Sequence, residues 1–127
     1  SRYSGAVADC LKFRDVFESS FQSVQKGTPS LVFELSTIFL ALRNIATCYS
    51  LSRTDSPTFG RDSARRLGPR SLDIDENVYS LLMQARLLST RGAGDSIGDI
   101  DLAILLPELK RCRSWIEELC HEVNLNG

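Results

Sequence analysis

The sequence has little of several residue types, with one methionine, one tryptophan, one histidine and four prolines in 127 residues. It also lacks an excess of either charge. Fifteen Lys and Arg residues stand against sixteen Asp and Glu residues, which leaves a net charge of -1. A balanced chain provides no global field for attracting nucleic acid or an anionic membrane surface. Any basic surface that binds a partner must therefore be local.

Long hydrophobic runs are lacking as well. The longest uncharged apolar stretch in the second predicted helix, Leu35 to Leu42, falls far short of the roughly 18 residues needed to span a bilayer. The chain begins with Ser1 rather than Met and shows no signal-peptide pattern, which suggests a processed or excised piece of a longer protein. We therefore expect a soluble chain that binds no membrane.

Cysteine is scarce and widely spaced. The four cysteines lie at apolar positions of predicted helices rather than in loops, at Cys10, Cys48, Cys112 and Cys120. Reduced thiols in this setting behave as small core hydrophobes. The pattern favours a reducing compartment, and we expect an intracellular protein, cytoplasmic or nuclear.

What the chain does have is helical periodicity. Apolar residues recur at spacings of three and four, which predicts helices over residues 4–26, 29–51, 74–91 and 107–124. Gly27 can end the first helix, Thr28 can cap the second with Pro29 at its first position, and Asp73 can cap the third. Pro107 interrupts the last apolar pattern, so we expect a broken start to the fourth helix, with a short turn up to Leu106 and a restart at Pro107, or else a kink there.

These elements predict an all-α fold. At 127 residues and 43% hydrophobic content, the chain fits a single domain over residues 1–127 with a real core. We expect a compact antiparallel four-helix bundle. Residues 52–71, rich in Ser and Arg, should form a long mobile loop between the second and third helices.

The apolar surface exceeds what one face of each helix would supply. The apolar seam of the second helix consists of residues spaced three and four apart, namely Leu31, Leu35, Ile38, Leu42, Ile45 and Tyr49. Phe33 and Leu40 lie on the opposite side, and a helix that is apolar nearly all round contacts neighbours on several sides. The sequence therefore predicts surplus apolar side chains that bind a partner. Trp115 is either a partial core residue or an interface anchor, since tryptophan is enriched at binding hot spots. The predicted partner-binding residues are Phe33, Leu40, Tyr79, Met83, Leu87 and Trp115.

The basic segment from Arg53 to Arg70 holds five arginines and two aspartates, a local charge of +3. It is most simply a solvated connector. Two other interpretations stay open. Ser56 could be a phosphorylation site whose phosphate pairs with a nearby arginine. Alternatively, arginines could contact nucleic-acid phosphates, and the candidates are Arg61, Arg65, Arg66 and Arg70.

No catalytic or metal-binding arrangement is evident. His121 is the sole conventional general base near neutral pH, and it lies in a helix tail near the end of the chain. Cys112 and Cys120 are eight residues apart on one helix, about 12 Å, which is too far to share a metal ion. The glycine-rich residues 92–98 lack the lysine of a phosphate-binding loop. We therefore expect no enzyme activity, no metal and no cofactor.

The sequence thus predicts a non-catalytic helical interaction or dimerisation module from a larger intracellular regulatory or scaffold protein. Its expected partner is another protein helix or a second copy of itself. The alternative is a regulatory domain of a nucleic-acid-associated protein that uses the arginines of residues 53–70.

Overall fold

The computed structural model describes residues 5–53, 57–90 and 100–126. Within these ranges the chain forms four α-helices and no strand, which confirms the all-helical prediction. The helices are α1 (Ala6–Lys26), α2 (Leu31–Arg53), α3 (Glu76–Thr90) and α4 (Leu102–Asn126). Two short 3-10 helices, Ser63–Arg65 and Gly68–Arg70, lie between α2 and α3.

A tight turn joins α1 and α2. Gly27 has a φ of 82°, in the left-handed region that favours glycine, and its N–H donates to the Val24 carbonyl. The Thr28 hydroxyl accepts the N–H of Ser30 at 3.0 Å, as expected of a capping residue. Helix α2 begins at Leu31, two residues later than the periodicity predicts.

Helix α3 also begins two residues later than predicted, and its cap is Asp75 rather than Asp73. An Asp75 carboxylate oxygen accepts the N–H groups of Asn77 and Val78 at 2.9 and 3.2 Å. The preceding Ile74 is buried. The prediction of Asp73 as the cap is therefore wrong, because the helix begins at Glu76, directly after Asp75.

Helix α4 is continuous through Pro107, so the prediction of a broken start there is wrong. The helix is capped at Asp101, whose carboxylate accepts the N–H of Ala103 at 2.9 Å. Pro107 lies in the second turn, where its missing N–H removes the bond to the Ala103 carbonyl. Because Ala103 is exposed, water can bind that carbonyl in place of the lost donor.

The core lies where α2 contacts the other helices. Tyr79 of α3 packs edge-on against Phe39 of α2 with ring centroids 5.7 Å apart. Large side chains with under 2% exposure come from all four helices and include Phe17, Phe21, Leu35, Ile38, Leu42, Ile45, Leu82, Leu109, Ile116 and Leu119. The seams read from the sequence supply most of them, because apolar periodicity selects the buried side of each helix.

Two ion pairs, one helical turn apart, join α1 to α4. Arg14 lies 3.8 Å from Glu117, and Arg113 lies 3.1 Å from Glu18. The Arg113 guanidinium also covers the ring of Phe21, at 4.6 Å from its centroid. Glu122, near the end of α4, accepts the Tyr49 hydroxyl of α2 at 2.7 Å.

The prediction of a long mobile loop is not confirmed for residues 57–71, which pack against the helices. The Ser63 hydroxyl donates to the Arg43 carbonyl at 3.1 Å, and both Ser63 and Ala64 are buried. Thr58 is held to α2 by its N–H, which donates to the Ser50 hydroxyl, and by its carbonyl, which accepts the Thr47 hydroxyl. Polar and small side chains therefore anchor this segment, a contribution that apolar periodicity does not register.

Helix α2 is also unusually long and apolar. By length and composition alone it could cross a membrane, and 56% of its most apolar window is buried within the protein. The uncharged stretch Leu35 to Leu42 is shorter than the apolar part of α2, because charged residues are few over the whole helix. A core helix of a soluble bundle meets the same criterion.

Candidate functional site: the outer face of α2

The outer face of α2 consists of Phe33, Thr37, Leu40 and Asn44, at successive spacings of four, three and four residues. Phe33 is 59% exposed, and the other three are half-buried. Phe33 and Leu40 are seven residues apart, so they differ by only about 20° around the helix and share one side of it. This placement agrees with the sequence prediction that both residues lie away from the α2 seam.

The polar groups of the outer face are bonded within α2 itself. The Thr37 hydroxyl donates to the Phe33 carbonyl at 3.0 Å, and the Asn44 amide donates to the Leu40 carbonyl at 2.8 Å. None of the four residues carries a formal charge. A partner that covers this face would therefore not have to strip water from an ion, and two of the polar donors already have acceptors.

The three predicted partner-binding residues of α3, Tyr79, Met83 and Leu87, follow one another at a spacing of four, and their exposure increases along the helix. Tyr79 is buried at 4% exposure, Met83 is half-buried against the core, and Leu87 is 41% exposed. Residues four apart advance by about 40° around an α-helix, so a line drawn at this spacing spirals instead of keeping to one face. Tyr79 is thus a core residue, and the interpretation of it as a docking residue was wrong.

Tyr79 is also tied to the segment that precedes α3. Its hydroxyl donates to the Arg61 carbonyl at 2.6 Å, and the Arg65 guanidinium lies 4.2 Å from its ring centroid. Burial, more than the nearby negative charge of Asp62, raises the pKa of Tyr79 to about 12.

Trp115 is buried too, at 7% exposure, and does not offer a docking surface. Its indole N–H donates to the Arg70 carbonyl at 2.7 Å. This bond satisfies the one polar group of the ring inside the protein. Of the six predicted partner-binding residues, Phe33 and Leu87 are exposed, whereas Leu40 and Met83 are half-buried.

The four predicted phosphate-contacting arginines fall into two groups in the structure. Arg65 forms an ion pair with Glu76, and Arg70 forms one with Glu122. Arg61 and Arg66 are exposed and form no ion pair with any residue the structure describes. Half of the predicted cationic set is thus neutralised by carboxylates of the chain itself. The candidate phosphorylation site, Ser56, lies outside the described residues.

Among the described residues, five other large apolar side chains are exposed. Leu11 and Leu102 are each 38% exposed, and the other three are more than half exposed. Phe59, Ile104 and Leu125 are 64%, 59% and 71% exposed. Phe59 precedes the first 3-10 helix, Ile104 lies in the first turn of α4, and Leu125 in its last. Terminal positions have fewer neighbours than mid-helix positions, and hydrophobicity alone carries no signal of this difference.

The buried cysteines match the sequence prediction of core thiols, since all four are free and buried. Desolvation raises the pKa of Cys112 to about 12. No group of three or more His, Cys, Asp or Glu residues in the described ranges could hold a metal ion. Comparison with protein-family models, with curated proteins and with solved structures found no significant match for this chain.

Proposed function

We propose that this chain is a non-catalytic helical interaction module of a larger intracellular regulatory or scaffold protein. In this proposal the four helices form a compact antiparallel bundle, and the outer face of α2 binds a helix of another protein or of a second copy of the chain. The observation that carries the proposal is the 59% exposure of Phe33 on a helix with eleven buried residues.

Phe33 is costly to leave in water. Full burial of a Phe side chain contributes about 1.5–3 kcal/mol, so covering the exposed part of Phe33 is worth roughly 1–2 kcal/mol. Leu40, on the same side two turns further along, can extend the contact. Residues at i and i+7 are the anchors by which an amphipathic helix recognises a groove or a second helix.

The charge pattern favours a protein helix over nucleic acid as the partner. The outer face has no cation to pair with a phosphate, whereas the paired arginines Arg65 and Arg70 would have to give up Glu76 and Glu122 to bind one. An uncharged face with bonded polar donors suits an apolar helix surface.

Self-association is tested first, by sedimentation velocity over a range of concentrations with Phe33→Asp and Leu40→Asp. We expect the wild-type chain to self-associate and either substitution to weaken association by at least about tenfold, equivalent to about 1.4 kcal/mol. Phe59→Asp is the matched control, because Phe59 has similar exposure but lies outside α2. Equal weakening by Phe59→Asp would contradict the assignment of the outer face.

A partner other than a second copy is tested by a photo-crosslinking amino acid placed at position 33 of the parent protein in its own cells. A matched probe at position 59 reports non-specific contacts. We expect one dominant adduct from position 33 that Leu40→Asp abolishes. A chain that sediments as a monomer throughout, and gives the same adducts from both positions, would refute the proposal.

A further inference from the structure

Three of the four cysteines meet where α1, α2 and α4 pack together. The Cys120 thiol donates a hydrogen bond to the Cys10 carbonyl oxygen at 3.5 Å. The pKa of the Cys10 thiol responds to both Cys48 and Cys120, which places the three side chains close together. These residues are far apart in the sequence, so the fold alone assembles this thiol cluster. The fourth cysteine, Cys112, lies eight residues before Cys120 on α4 and is not part of the cluster.

One member of the thiol cluster borders a surface pocket. Cys120 lines a shallow, open pocket of about 210 Å³ whose other lining residues are Leu11, Arg14, Glu117, His121 and Asn124. Cys10 and Cys48 do not line it. Of the three clustered cysteines, Cys120 is therefore the one that a small solute in the pocket would contact.

The surroundings of Cys120 favour its ionised form. The hydrogen bond with the Cys10 thiol and the positive charge of Arg14 both lower the pKa of Cys120, against the opposing effects of burial and of Glu117. The pKa of Cys10 is raised, chiefly by its hydrogen bonds to the other two thiols and also by burial. Of the two thiols, Cys120 therefore ionises more readily than Cys10.

We propose that Cys120 is an oxidation site for hydroperoxides that enter the pocket beside Arg14, and that Cys10 is its resolving thiol. Cys120 is 4% exposed, but it borders a pocket beside Arg14 and has a second cysteine next to it, features that redox-sensing cysteines share. The inference concerns modification of the chain and is independent of the partner bound by α2.

The reaction balances in two steps. The Cys120 thiolate attacks one oxygen of the hydroperoxide, the O–O bond breaks, and the departing alkoxide takes a proton to become an alcohol. Cys120 is left as a sulfenic acid. The Cys10 sulfur then attacks the Cys120 sulfur, the S–O bond breaks, and the hydroxide and the Cys10 proton leave as water. The two thiols lose two electrons to the peroxide and end as a disulfide that links α1 to α4.

The first test maps the product in the whole, folded chain. Reduced protein is treated with hydrogen peroxide, blocked and digested with trypsin, which places the four cysteines on four separate peptides because Lys or Arg residues lie between them. We expect the Cys10–Cys120 disulfide as the main product. A main product that joins Cys10 to Cys48, or an unchanged Cys120 after excess peroxide, would overturn the proposal.

The second test traps the intermediate in Cys10→Ser with dimedone, which reacts with sulfenic acids. We expect an adduct on Cys120 and little on Cys112, which is the buried control on the same helix. Equal labelling of Cys112 and Cys120 would mean that global opening exposes both, and would refute a built site. Should Cys10→Ser fail to fold, the disulfide map of the wild-type chain still decides the question.

The role of Arg14 is tested by the rate of peroxide consumption. Arg14→Gln should slow the reaction by about threefold, a modest factor because the thiolate fraction falls while the nucleophilicity of each thiolate rises. Arg111→Gln is the matched control, since Arg111 is an exposed arginine of α4 outside the pocket lining, and its rate should equal that of the wild type. Equal rates for both variants would remove Arg14 from the site.

Discussion

Removing the hydroxyl of Tyr79 should destabilise the fold without affecting partner binding. Tyr79→Phe keeps the buried ring and its edge-on contact with Phe39 but loses the bond to the Arg61 carbonyl. Because Arg61 is exposed, water can reach part of that site, and the expected loss is about 1 kcal/mol, typical of one hydrogen bond. Tyr79→Ala also removes the ring and should cost about 3–5 kcal/mol.

Urea denaturation followed by circular dichroism measures this loss. With a slope of about 2 kcal/mol per molar urea for a chain of this size, Tyr79→Phe should lower the midpoint by about 0.5 M. Hydrogen exchange gives a second readout, since the amides of Ser63 and Arg65, bonded within residues 60–65, should lose more protection than those of α1. An unchanged midpoint together with unchanged protection would show that the bond to Arg61 does not hold this segment.

The pH dependence of stability gives a third readout for Tyr79. Burial raises its pKa from an ordinary value of 10 to about 12, so the unfolded chain releases this proton more readily than the folded one. Stability should therefore fall as the pH rises from 10 to 12, and it should fall less steeply in Tyr79→Phe. Equal slopes in the two proteins over this range would contradict the burial of the hydroxyl.

Two further variants test the connections between elements. Asp75→Ala removes the cap of α3 and should lower the free energy of unfolding by about 0.5–2 kcal/mol, measured by urea denaturation. The matched Asp73→Ala should cost less, because the structure gives its side chain no such bond. An equal loss would contradict the cap assignment. Glu122→Gln weakens the ion pairs to Arg53 and Arg70 and should cost about 1 kcal/mol, reduced by high salt. A variant as stable as the wild type at low salt would show that these pairs do not stabilise the fold.

The sequence predicts the parts of the fold that depend on local patterning. The seams of α2 and α4 follow a spacing of three and four, and their members Leu42, Ile45 and Ile116 are fully buried. The predicted ends of the first three helices lie within two residues of those observed. Helix α4 departs further, because an exposed carbonyl at Ala103 lets the helix pass Pro107.

The parts that sequence could not supply depend on contacts between distant residues. Residues 57–71 read as a solvated connector by composition, yet they are held to α2. The Thr47 and Ser50 side chains of α2 bond the Thr58 backbone, and the Ser63 hydroxyl donates to the Arg43 carbonyl. Tyr79 and Trp115 were assigned to a docking surface for their apolar rings, but backbone carbonyls of the same segment accept their polar hydrogens. In the same way, no local sequence pattern indicates that Cys10 and Cys120 lie together in the fold.

Glu122 has a consequence for any attempt to shorten this chain. One carboxylate group meets the Tyr49 hydroxyl and the guanidinium groups of Arg53 and Arg70, which come from the end of α2 and from the second 3-10 helix. A truncated protein that stopped before this position would leave all three donors without their shared acceptor. A fragment without the last turns of α4 should therefore be less stable than the whole chain, however little these turns contribute to the outer face of α2.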